Sequence, residues 1–144
     1  MWKELIQNRS DECKFYLPSA PDDVAAVERS LNVQLPDELK DLLSESNGIH
    51  GRHSLGLVWP IEQIIKDNLE FRQMPDFKEL YMPFDSLLFF GDSGGGDQFA
   101  FAILDGVIRR SDIFVWNHEN DSRTWAAPSL QTYLDWCLNG KLDF

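Results

Sequence analysis

The sequence predicts an α+β domain in which helices come first, a run of antiparallel strands follows, and a helix closes the chain. Three observations carry this expectation. Apolar residues recur at helical spacing through the first half, at Val24, Val27 and Leu31, then Leu39, Leu42 and Leu43, then Ile61, Ile64, Ile65 and Leu69. The pattern then switches to period two, with Phe99, Phe101 and Ile103 on one face of a strand. A helical stripe returns at Leu130, Tyr133, Leu134, Cys137 and Leu138. That order predicts a sheet with helices packed on one side.

Each element has a local signal. Ser19 reads as an N-cap, with Asp22 in the first turn and Asn32 ending the first helix. Leu35-Pro36 opens the second, because Pro36 at the first helical position needs no N–H there. Asn47-Gly48 stops it, since Gly48 enters the left-handed region without a steric penalty. A short strand is expected over residues 54–58, and Trp59-Pro60 opens the third helix. Pro75 is expected to end helical structure there and to leave the stretch to Pro83 irregular. Residues 86–90 form an apolar run of strand length, and residues 98–103 alternate. Asp105-Gly106 is a two-residue hairpin turn of the type that needs positive φ at both positions. Residues 107–116 return as one bulged strand or two short ones. After a polar stretch at 117–123, Ser129 begins the last helix and Gly140 ends it.

The 144 residues suit one domain with a substantial core, and no repeat or linker divides them. Ten Phe and five Trp make that core aromatic. The net charge of −11 comes from 24 acidic and 13 basic residues that are scattered rather than run together. Such a surface repels nucleic acid and anionic membranes, and it either serves solubility alone or attracts basic proteins. Arg109-Arg110 is only a dibasic pair and makes no nucleic-acid patch. The first nine residues carry no apolar signal core, and no stretch reaches the roughly 18 apolar residues of a membrane span. The expected compartment is therefore the cytoplasm, with Cys13 and Cys137 as free thiols.

The most informative passage is Phe90-Gly91-Asp92-Ser93-Gly94-Gly95-Gly96-Asp97-Gln98-Phe99. It contains Gly-Asp-Ser-Gly-Gly, the string around the nucleophile of chymotrypsin-like proteases. Acyl transfer by serine needs an oriented histidine, and His50, His53 and His118 stand in no recognisable context. A phosphate cradle lacks both the Walker lysine and GxGxxG spacing, and Asp92 and Asp97 would repel the anion. A cation loop lacks regularly spaced acids with a late glutamate. His50 and His53 lack a third metal ligand at diagnostic spacing. The simplest reading is a tight connection between core strands whose acids face water. The segment from Trp116 through Glu119 and Asp121 to Trp125 has two readings. It is either an aromatic and acidic edge that meets a basic protein, or core tryptophans beside solvated acids.

Four pieces together resemble the SMI1/KNR4 superfamily, also called SUKH. They are Ser19-Ala20-Pro21-Asp22 with its helix, Leu35-Pro36-Asp37-Glu38-Leu39 through to Asn47-Gly48, the glycine loop with Gly91, Gly94, Gly95 and Gly96, and Val115-Trp116-Asn117-His118-Glu119 with the closing helix. They span about residues 19–140, and residues 50–83 carry no family mark. The resemblance implies a single α+β domain with a central, mostly antiparallel sheet and helices around it. It implies no catalysis, no cofactor and no metal. Bacterial members look like immunity proteins that bind a polymorphic toxin, commonly a nuclease, whereas fungal relatives behave as interaction scaffolds. The expected partner is a basic toxin protein bound without turnover, and the expected state is a monomer or weak homodimer. The contacts expected on this reading are Asp92, Asp97, Trp116, Glu119, Asp121 and Trp125.

Overall fold

Trp2 and Ile6 lie four residues apart and are buried by a helix too short for periodicity to reveal, α1 (Trp2–Gln7). The Glu45 carboxylate accepts from the Trp2 and Lys3 amides at 3.1 and 3.2 Å and ties that helix to the end of a later one, residues 37–45. Burial alone would raise the Glu45 carboxyl, but these bonds and the amino terminus hold it below its ordinary value. A two-residue strand, β1 (Lys14–Phe15), leads to α2 (Pro21–Leu31) and α3 (Asp37–Glu45). The structure, a computed structural model, describes residues 1–142.

The predicted stripes are buried as expected at Val24, Val27 and Leu31 and at Leu39, Leu42 and Leu43. The caps shift by one residue. Pro21 takes the first helical position, so Ala20 rather than Ser19 is the N-cap of α2, and the Ser19 amide donates to the Leu43 carbonyl instead. Pro36 is likewise the cap of α3 and not its first residue. Asn32 ends α2 in the left-handed conformation.

The Asn47-Gly48 pair does more than stop a helix. The Asn47 Oδ1 accepts from the Ile61 amide at 2.9 Å, so it caps the next helix, α4 (Ile61–Gln73), from 14 residues away. Gly48 has φ of +91°, and a Cβ there would lie 2.7 Å from the Pro60 nitrogen. Between them and α4 run β2 (Ile49–His50), a 3-10 turn at Arg52–Ser54, and β3 (Gly56–Val58). The strand expected over 54–58 is thus shorter by two residues.

Pro75 does not leave an irregular stretch. It occupies the first position of α5 (Pro75–Leu80), where its missing N–H is harmless. The chain then enters β4 (Leu87–Asp92), β5 (Gln98–Ala102), β6 (Ile113–Trp116), β7 (Arg123–Ala127) and α6 (Leu130–Leu138). Asp105 and Gly106 have φ of +57° and +78°, as the hairpin turn requires. Ser129 caps α6 by accepting from the Thr132 amide.

All pairings are antiparallel, and the strands divide into two sheets, β1-β2-β3 and β4-β5-β6-β7. The sheets meet where the Trp59 amide donates to the Phe90 carbonyl at 2.7 Å. The fold is α+β, with the buried side chains forming one cluster from Trp2 to Leu134. Both cysteines are free. Among the described residues no helix is long and apolar enough to cross a membrane.

The outer edge of β4 is closed by a side chain. Asn68 sits on the apolar face of α4, fully buried, seven residues after Ile61. Its Oδ1 accepts from the Phe89 amide at 2.9 Å, and its Nδ2 donates to the Phe89 carbonyl at 2.9 Å and the Ile64 carbonyl at 2.7 Å. Removing a partner from a buried backbone group costs about 1–3 kcal/mol. Asn68→Ala is therefore expected to lower unfolding stability by about 2–5 kcal/mol, read from urea denaturation. A loss under about 1 kcal/mol would contradict this role.

Candidate functional site

The glycine passage joins β4 to β5 at one end of the four-stranded sheet, beside the Leu55 side chain and the β6–β7 loop. Gly91 lies at a bulge in β4, and a Cβ on it would stand 2.4 Å from the Leu57 carbonyl oxygen. That close approach lets β4 lie against β3. Gly96 has φ of +109°, and a Cβ would meet the His118 ring at 2.8 Å. These glycines are therefore needed for packing as well as for turning. Gly94 and Gly95 are exposed in the same turn, where their amides donate to Asp92 Oδ1 and Ser93 Oγ.

The acids do not simply face water. Asp92 accepts from the Trp59 indole N–H at 2.7 Å and from the Gly94 amide at 2.9 Å. Asp97 accepts from the His118 amide at 3.1 Å and pairs with His118 Nδ1 at 2.7 Å, joining the glycine loop to the β6–β7 loop. Asp121 accepts from the Met82 amide, the Trp116 indole and the Arg123 guanidinium at 2.9, 2.8 and 3.1 Å. Arg123 continues the clamp by donating to the carbonyls of Met82 and Pro83, both at 2.8 Å. Asp121 has φ of +61°, a conformation that aspartate tolerates better than most side chains.

Trp116 is 3% exposed and packs edge-on against Phe71, Tyr81 and Phe84, so its area belongs to the core. Trp125 is 52% exposed; its ring meets Trp136 at 6.2 Å and its N–H donates to Asp112. It lies on β7, away from the glycine loop in the chain. Glu119 is exposed. Of the expected contacts, Asp92, Asp97, Trp116 and Asp121 hold the scaffold, and Glu119 and Trp125 remain at the surface.

An aspartate beside a histidine also occurs as the orienting pair of a nucleophile triad, in which Ser93 would be the third member. Its Oγ accepts from the Gly95 amide at 3.3 Å and makes no hydrogen bond to His118. Among the described residues no group of three His, Cys, Asp or Glu side chains could hold a metal ion. The residues that sequence reasoning missed lie between 74 and 85. There Tyr81 turns its ring inward onto Trp116 and donates its hydroxyl proton to the His118 carbonyl, while Leu80 and Met82 project to solvent. Behind this segment opens a groove of about 590 Å³, lined by Leu69, Phe71, Phe77, Tyr81 and Phe84 among others.

The SMI1-KNR4 cell-wall family model matches residues 21–134. The chain belongs to this family. The match takes in the α2 and α3 motifs, the glycine loop and the β6–β7 segment, and it ends within α6. No curated protein matches the chain. In the SMI1-KNR4 frame the glycine loop and Asn47-Gly48 are elements of architecture, each explained by a backbone approach or a distant cap.

Burial alone would raise the Asp121 carboxyl, but the bonds from Met82, Trp116 and Arg123 outweigh it and hold the group below its ordinary value. A depressed folded value means the stabilisation is present above the unfolded value, about 3.9, and is lost as pH falls through the folded one. Asp121→Asn is expected to lower the urea midpoint at pH 7, and the gap from wild type should close below about pH 4. A gap that persists undiminished at the lowest pH at which the fold survives would contradict the clamp.

Proposed function

We propose that the chain is an immunity protein, a stoichiometric binder that neutralises a toxin encoded beside it without catalysing any reaction. The observation that carries this reading is membership of the SMI1-KNR4 family over most of the chain, a group whose members are typically immunity proteins. The net charge of −11 adds physical support. A basic toxin, a nuclease above all, is drawn to such a surface, and charge complementarity accelerates encounter. An acidic protein can also occupy the space where a nuclease receives phosphates. Protection of the producing cell calls for nanomolar affinity or better, about −12 kcal/mol. Binding would take place in the cytoplasm, before the toxin reaches its target.

A regulatory scaffold is the second reading, and the cell-wall description of the matched family favours it. The two differ in one outcome. Co-expression with the neighbouring toxin domain, one that arrests growth when expressed alone, is expected to rescue growth and yield a one-to-one complex. Arrest without rescue and without a complex would overturn the immunity reading.

Binding without catalysis also predicts that Ser93→Ala leaves the rescue intact. Loss of protection by that variant, with the fold and the complex unchanged, would point to chemistry at the glycine loop instead.

A further inference from the structure

The exposed apolar side chains are not evenly spread. Met74, Leu80 and Met82 are 41%, 70% and 58% exposed and fall within nine residues of one another, at and beyond the ends of α5. Among the described residues the other large ones are Met1, Leu17, the hairpin-tip pair Leu104 and Val107, and Trp125, whose ring leans on Trp136. Tyr81 has extended dihedrals of φ −130° and ψ 159°, which sends its neighbours to the side opposite its own ring. Leu80 and Met82 therefore form one ledge.

The ledge is held in place from behind. The Met82 amide and carbonyl are bound by Asp121 and Arg123, the Pro83 carbonyl by Arg123, and the Tyr81 hydroxyl by the His118 carbonyl. The Arg123 guanidinium also sits 4.7 Å from the Phe84 ring centre. A segment bonded this thoroughly presents Leu80 and Met82 without a large ordering cost on association. Apolar groups held rigid and exposed beside a groove are the usual anatomy of a contact core.

The charges around the ledge select the partner. Asp76, Glu79 and Asp85 on the segment and Glu119 on the adjoining loop are exposed, against Lys78 alone on the same segment. Arg72 lines the groove, and its guanidinium donates to the Leu31 and Leu87 carbonyls. We infer that the Leu80–Met82 ledge and its groove are the docking face for the toxin, taking an apolar side chain from a basic protein surface. A second copy of the chain fits poorly, because it would bring one acidic rim against another on molecules of charge −11. This inference rests on the immunity reading and names its contact surface.

The test uses the full chain and the purified toxin domain encoded beside it. Leu80→Ser with Met82→Ser is expected to weaken binding by about 30-fold or more, with thermal unfolding unchanged because both side chains already face water. Trp125→Ser and Leu17→Ser should each change affinity by less than about threefold. A photocrosslinking residue at position 80 should capture the toxin, and one at position 104 should not. Wild-type affinity in the double variant, with capture at 104 or loss on Trp125→Ser, would overturn this docking face and leave the immunity reading standing. No binding by the wild-type chain would overturn both. Wild-type dimers in sedimentation that the double variant abolishes would show that the ledge is occupied by a second copy, which also overturns the inference.

Discussion

Asn68 makes three hydrogen bonds in a site closed to water, and the arrangement of the whole domain depends on them. β4 is an end strand of its sheet: its outer edge meets the end of β3 at Phe90 and Gly91, but at Phe89 its outer backbone groups bond to no neighbouring strand. At Phe89 the Asn68 amide supplies both the donor and the acceptor that such a strand would have provided. Burying an unsatisfied amide or carbonyl is costly, and a single carboxamide avoids that cost at both groups. The same helix is anchored at both ends. Asn47 caps its first turn, and Arg72 at its end donates to the Leu31 carbonyl at the end of α2 and the Leu87 carbonyl at the start of β4. With α4 fixed in this way, Trp59 reaches Phe90, the two sheets meet, and residues 74–85 emerge at a defined place.

The acidic residues divide by what they bond. Asp92, Asp97 and Asp121 receive N–H donors from three different segments and draw the glycine loop, the β6–β7 loop and the residues after α5 into one framework. Their charge still contributes to the field of the protein, but their oxygens are already engaged. On the proposed docking face the groups left free for a partner are those on the framework's outer side, where Leu80, Met82, Glu79 and Glu119 are exposed. Under that proposal long-range attraction and short-range contact come from different residues, as is common where charge sets encounter and buried apolar area sets residence time.

Most of the helical half was legible because its signals are local. Val24, Val27 and Leu31 declare their face by spacing, and Asp105-Gly106 declares its turn by residue type. β7 was not legible: Thr124 and Trp125 are exposed while Ala126 and Ala127 are buried, which gives no alternation to detect. α5 escapes a local reading because proline, a helix stop, also suits a first helical position. The bonding of the acids is hidden from a local reading for a different reason. Asp92 is bonded to a residue 33 positions away, Asp97 to one 21 away and Asp121 to one 39 away. No local pattern encodes such partners. Asn68 did leave a trace, as the polar residue in register with Ile61 and Ile64 on an apolar face, and that mismatch is the kind of signal worth following.

The most direct test of this account is native-state hydrogen exchange at the Phe89 amide. If Asn68 closes the edge of β4 as an integral part of the core, that proton should exchange only through global unfolding, with the same opening free energy as the slowest amides of β5. Exchange through a local opening several kcal/mol below that limit would show that β4 frays at its edge and that the fold is held together elsewhere.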